Sequence, residues 1–162
     1  MTMTIELTSN WSHDEMMSHA DEITECFQAY VSRFPDETID SMWRSVASGE
    51  RILWAVKDET GKVIMAPIVE VNENSATGVR SVSFVECSGS RMIEGLELAR
   101  TIEDWAWNEI GADHITWWAA RPALVRLVSQ RLGYEPHVML LRKKRPVEED
   151  RVEPVGTCEA VA

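Results

Sequence analysis

The sequence holds only three cysteines, Cys26, Cys87 and Cys158, far apart along 162 residues. They form no metal-spaced pair, and no metal site is expected. Their odd number argues against a disulfide framework, so a reducing cytoplasm is the expected compartment. No apolar run approaches the roughly 20 residues that span a bilayer. Met1 to Asn10 lacks a basic region followed by an apolar core, so no signal peptide is expected. Positive charge is scarce: 16 Lys and Arg stand against 27 Asp and Glu, a formal net charge of −11. That balance repels phosphates, so neither nucleic acid nor an anionic membrane is an expected partner. It suits a basic partner, a lysine-bearing protein or a polyamine, and it equally suits solubility alone. Internal repeats are also missing.

What is present centres on Val79 to Leu141. Val79 to Val85 alternates as a strand, with Val79, Ser81, Ser83 and Val85 on one side and Val82 and Phe84 on the other. Cys87-Ser88-Gly89-Ser90 breaks it, as a turn and helix cap would. Met92, Leu96, Ala99, Ala106 and Ile110 recur at helical spacing, which predicts a central helix from about Ser90 to Ile110, stopped by Gly111. His114 to Ala119 reads as a strand and Pro122 to Leu132 as a helix closed by Gly133. Tyr134 to Leu141 reads as the last strand. Strands separated by helices predict parallel pairing between the Val79 and His114 strands.

Upstream, Thr2 to Leu7 is a candidate first strand. Asn10 to Arg33 is helical, with Ser12 and Glu15 at capping-box spacing. Asp36 is the expected cap of a second helix through Ile39, Met42, Trp43 and Val46, ended by Ser48-Gly49. Ile52 to Val56 and Val63 to Val71 form a hairpin about Asp58 to Gly61. Pro67 within it implies a bulge or an edge, because proline cannot donate to a ladder. The expected fold is α/β (α+β): a mixed central sheet flanked by helices, in the order β-α-α-β-β-β-α-β-α-β. One domain over 1–145 is expected, with a mobile tail over 146–162.

That element order resembles the GNAT acetyltransferase superfamily over most of the chain, Thr2 to about Leu141. Ile52 to Ile64 is similar to the family's hairpin, Glu103-Asp104-Trp105-Ala106 to Gly111 to its central helix, and Arg131-Leu132-Gly133-Tyr134-Glu135 to its closing turn. The resemblance implies acyl transfer from acetyl-CoA to an amine. It also implies that the cofactor's pyrophosphate meets the start of the central helix, here Cys87, Ser88, Gly89, Ser90, Arg91 and Met92. A helix N-terminus offers unpaired N–H donors for such an anion. The chain departs from the family in carrying one loop glycine, Gly89, where a pair is usual. Ser129 stands four residues before Gly133, where a tyrosine usually acts as general acid, and a hydroxyl is a far poorer acid than a phenol. Such degenerate chains resemble small phage-encoded proteins of this fold, some of them carried in the virion.

Glu86 is the candidate general base, at the end of the central strand, with Glu70 as the alternative. The competing reading of Glu86 is a solvated turn residue, and Glu70 is the weaker of the two candidates. His114 and His137 read as packed or surface histidines rather than catalysts. Cys87 has a thiol whose pKa falls if it sits at a helix N-terminus, and otherwise it is a small hydrophobe. Arg121, Arg126 and Arg131 walk around their helix and form no joint clamp. Trp117 and Trp118 point to opposite faces of their strand, one as core and one as a cover or interface. Two functions stay open from sequence: an acetyl-CoA-dependent N-acetyltransferase, or a non-catalytic interaction protein, virion-associated or active in host takeover. The acceptor is an amine-bearing molecule or protein partner, and a dimer is compatible with either.

Overall fold

A computed structural model describes residues 2–118 and 122–137. Strand β1 (Thr4–Leu7) leads through a 3-10 turn (Thr8–Asn10) into helix α1 (His13–Val31) and helix α2 (Ile39–Ala47). Strands β2 (Ile52–Lys57), β3 (Val63–Glu73) and β4 (Arg80–Gly89) follow. A helical segment then runs through α3 (Met92–Gly95), a 3-10 turn (Leu96–Leu98), α4 (Ala99–Trp105) and a π turn (Ala106–Ile110). Strand β5 (His114–Trp117) and helix α5 (Pro122–Leu132) complete the described chain. Among the described residues the sheet has five strands in sequence order; its first three pairs are antiparallel, and β4 with β5 is parallel, as expected.

Each sheet face has its own core. Ile23, Phe27 and Met42 of α1 and α2 pack on Leu53, Ala55 and Ile68. On the other face Ile102, Trp105 and Ala106 pack on Trp54, Val69, Val82 and Phe84. Phe27, Ile23, Met42 and Ile102 are fully buried. Each contributes about 1.5–3 kcal/mol by leaving water.

Several expectations change in detail. Ser12 does cap α1, accepting from the Glu15 N–H at 3.1 Å. Asp36 does not cap α2; Thr38 does, in a reciprocal box with Ser41. Pro67 lies in a central strand, not at an edge. The β2–β3 register is the same on both sides of it, and the bulge falls next door, where β3 Ile68/Val69 meets β4. There Ile68 pairs Glu86 and Val69 pairs Phe84, so Val85 is the extra residue of β4.

β4 runs on through Cys87, Ser88 and Gly89, which are strand and not turn. Gly89 lies at φ +132°, and a Cβ there would sit 2.1 Å from the Ile64 carbonyl oxygen. Close approach of β3 therefore requires glycine. Ser90 is not a helix cap: its N–H donates to that same carbonyl at 2.9 Å, and Arg91, left-handed at φ 57°, precedes α3 with no side-chain cap. The central helix is broken into unlike turns. It ends at Gly111 (φ 66°) as expected, and the Arg80 guanidinium caps the Ile110 carbonyl at 2.5 Å. Tyr134 to His137 form no strand, and the rest of that expected strand, with the tail, Cys158, Ala119 and Arg121, lies outside the described residues.

Candidate functional site

Directly opposed residues of an antiparallel pair share a face. Ile68 belongs to the α1–α2 side, so its partner Glu86 faces that side, as does Ser88 opposite Ala66. Cys87 faces the other side, against Ile64, Met65 and Met92.

Glu86 is 5 % exposed, and its Oε1 has no hydrogen-bond partner among the described residues. Burial pushes its carboxyl up to about 7, and the Ser88 hydroxyl and the Arg33 and Arg51 charges offset only part of that. Ser88 gives its proton to the Cys26 carbonyl at 2.7 Å. A buried carboxyl that titrates near neutrality is what a general base needs. Around it stand Tyr30, whose phenol burial also pushes up, and an ion-pair group that no sequence motif signals. Arg51 donates to Glu37 at 2.9 Å and to Glu70 at 3.0 Å. Glu70 is thus held by a cation, whereas among the described residues no cation is in contact with Glu86. Residues 14 and 19 positions apart close that group, which no local pattern announces.

Trp118 completes this side. Its N–H donates to the Phe84 carbonyl at 3.0 Å, the rung after the last β4–β5 pair. Trp117 packs on the helical face, stacked on Phe84 with centroids 4.2 Å apart. Strand alternation sends Trp118 to the face of Glu86, where it is 61 % exposed.

The cofactor residues are less well matched. Among the described residues no strand pairs with the β5 edge of β4 beyond Phe84, so backbone donors and acceptors of Glu86 to Ser88 are offered there. That fits the amides of a pantetheine arm. The expected cation does not fit as it stands: Arg91 contacts Glu94 at 2.6 Å and Glu59 at 3.4 Å. The enclosed cavity beside Cys87, Met92 and Trp117 is about 10 Å³, room for one water. Cys87 is not an activated thiol; burial pushes it up to about 12. Ser129 lies mid-helix in α5, its carbonyl accepting from the Gly133 N–H at 3.2 Å. The nearby phenol is Tyr134, which donates to Glu103 at 2.8 Å and meets Trp117 edge-on at 6.0 Å. Burial and the Glu103 carboxylate push that phenol far up.

No family model and no curated protein matches the sequence. Solved structures do match the fold. A ribosomal-protein-alanine N-acetyltransferase from Brucella melitensis superposes with a TM-score of 0.60 at 14 % identity, covering 87 % of this chain and 100 % of its own. An aminoglycoside 6'-N-acetyltransferase from Acinetobacter baumannii gives 0.60 at 12 %, covering 90 % and 99 %. A GNAT family acetyltransferase from Staphylococcus aureus gives 0.59 at 11 %, covering 90 % and 100 %. With its parallel β4–β5 pair, its bulged central strand and these neighbours, the chain has the fold of the GNAT acetyltransferases.

Proposed function

We propose that this protein is an N-acyltransferase that moves an acetyl group from acetyl-CoA to an amine, with Glu86 as the base. The observation that carries it is Glu86 itself: a buried carboxyl with a free Oε1, poised near neutrality, beside the bulge of β4. As a carboxylate it takes a proton from the acceptor's ammonium nitrogen, leaving the lone pair that acyl transfer requires. Trp118, exposed on the same face, is the wall against which the acceptor lies. The cofactor would be held by the β4 edge at Cys87 and Ser88 and by Gly89, Ser90, Arg91 and Met92. It supplies the acetyl thioester. Ser129, in α5, is the proposed proton donor to the departing thiolate of the cofactor.

Calorimetry with acetyl-CoA and CoA, followed by a thiol-release assay with small amines, tests this reading. Glu86→Gln is expected to bind cofactor normally and turn over far more slowly. No heat and no thermal shift at millimolar acetyl-CoA would overturn it.

A further inference from the structure

Three carboxyl groups, Glu37, Glu70 and Glu86, gather on the α1–α2 face of the sheet. Ile68 opposes Glu86 across the β3–β4 pair, and Glu70 follows Ile68 by two positions, so it points to the same face. Arg51 stands just before Ile52, the partner of Val69, which sets it beside Glu70 on the neighbouring strand. Glu37 arrives from the connection between α1 and α2. The Tyr30 phenol feels the charges of all three carboxyls and of Arg51.

Arg51 ties two of the three together. Its Nε donates to Glu70 at 3.0 Å and its Nη2 to Glu37 at 2.9 Å. A planar guanidinium fork can serve two carboxylates at once. The Arg51 side chain is 16 % exposed, so salt screens these pairs weakly. Burial pushes the Glu37 carboxyl up, but the hydrogen bonds from Arg51 and Ser41 outweigh it and hold that carboxyl below its usual range. The groups that face Glu86 are Cys26, Tyr30 and Arg33 of α1, Glu37 of the connection, Arg51 before β2 and Glu70 of β3. Burial pushes both the Cys26 thiol and the Tyr30 phenol up, so neither is charged at neutral pH.

We propose that Arg51 is the positioning residue that assigns the base: it engages Glu37 and Glu70 as ion pairs and leaves Glu86 to take the acceptor's proton. An N–H bond of the acceptor's ammonium breaks, an O–H bond forms on Glu86, and the lone pair stays on nitrogen. The source of that proton rests on the acetyl-transfer reading; the assignment among the three carboxyls rests on this ion-pair group.

The test is a carboxyl-carbon NMR titration of isotope-labelled protein, in which the Glu86 signal is identified by its loss in Glu86→Gln. Wild-type Glu86 is expected to titrate at about 7. Arg51→Gln removes a cation and frees two carboxylates, so the Glu86 titration moves to higher pH, and that of Glu37 rises with it. Arg51→Lys keeps the charge and keeps Glu86 near its wild-type position. Glu37→Gln leaves Arg51 less neutralised, and Glu86 moves to lower pH. Its amide oxygen still accepts from Ser41, and circular dichroism checks the fold of each variant. In the thiol-release assay the acid limb of kcat/KM is expected to follow the same order, so the rate lost by Arg51→Gln at about pH 7 returns by about pH 9. A Glu86 titration unmoved in every variant, one that falls in Arg51→Gln, or a rate loss equal at every pH would overturn the proposal, the last being what a merely structural clasp gives. If Arg51→Gln does not fold, the shift in Glu37→Gln, or its absence, decides. Titrations that move as expected in proteins that release no thiol support the assignment of Glu86 and overturn the acetyl-transfer reading alone.

Discussion

Replacing Glu86 by Gln isolates the energetic signature of the buried carboxyl. Folded, the group titrates at about 7 because it is buried; unfolded, it returns to the ordinary 4.5. Below 4.5 both states hold the proton and burial of the acid costs nothing extra. Between 4.5 and about 7 the unfolded chain releases the proton while the folded chain keeps it, so stability falls as pH rises. Above about 7 both states are ionised and the loss is complete. The interval from 4.5 to about 7 at about 1.4 kcal/mol per tenfold makes that loss about 3 kcal/mol. The Gln variant cannot ionise and escapes it. Its amide has its own cost at the orphaned Oε1 position, but that cost does not vary with pH. Urea unfolding of both proteins at about pH 5 and about pH 8 reads the difference of differences. The variant is expected to gain about 2.5 kcal/mol relative to wild type over that span, since part of the loss has already set in at pH 5, roughly 1–2.5 M in midpoint. Parallel pH profiles for the two proteins would refute the burial of an ionisable Glu86.

Three further outcomes are expected. Glu59→Gln/Glu94→Gln frees Arg91 from the two carboxylates that hold it and tightens acetyl-CoA binding several-fold by calorimetry; unchanged affinity removes Arg91 from the cofactor site. Trp118→Ala leaves the unfolding free energy within about 0.5 kcal/mol, because the ring is exposed, but lowers kcat/KM for the acceptor in the thiol-release assay. Gly89→Ala places a methyl 2.1 Å from the Ile64 carbonyl at a backbone angle that alanine avoids, and costs about 3 kcal/mol or more in the same unfolding assay.

The fold was legible where it rests on periodicity and punctuation. Pro122 and Gly133 bracket α5, Gly111 ends the helical segment, and the β2–β3 hairpin turns where Asp58 to Gly61 stand. What was not legible depends on distant partners. Thr38 caps α2 because Ser41 answers it, whereas Asp36 merely has the right side chain. Cys87 to Gly89 have turn-like composition, yet β3 recruits them as strand by pairing Met65, Ala66 and Pro67 against them. Glu86 was visible as a residue, but its environment was not. Arg33 and Arg51 approach it from the far ends of α1 and α2, and local composition says nothing of that. Cys87 shows the reverse error: proximity to a helix start suggested a reactive thiol, and burial decided otherwise.

The single extra residue in β4 acts as a parity switch. Strict alternation counted from Phe84 would send Glu86 toward the helical layer and Cys87 toward α1. Val85 inserts one half-period, so the two exchange sides. Which layer receives the acid is therefore decided by a residue count and not by residue identity. Substitution at the half-buried Val85 preserves that count and is tolerable; its deletion would turn every side chain from Glu86 to Ser88 through the sheet. The carboxyl would meet Trp117 and Phe84, and the thiol would face Tyr30. A strand in this position can thus change the side on which its chemistry happens by gaining or losing one codon, with the composition around it untouched.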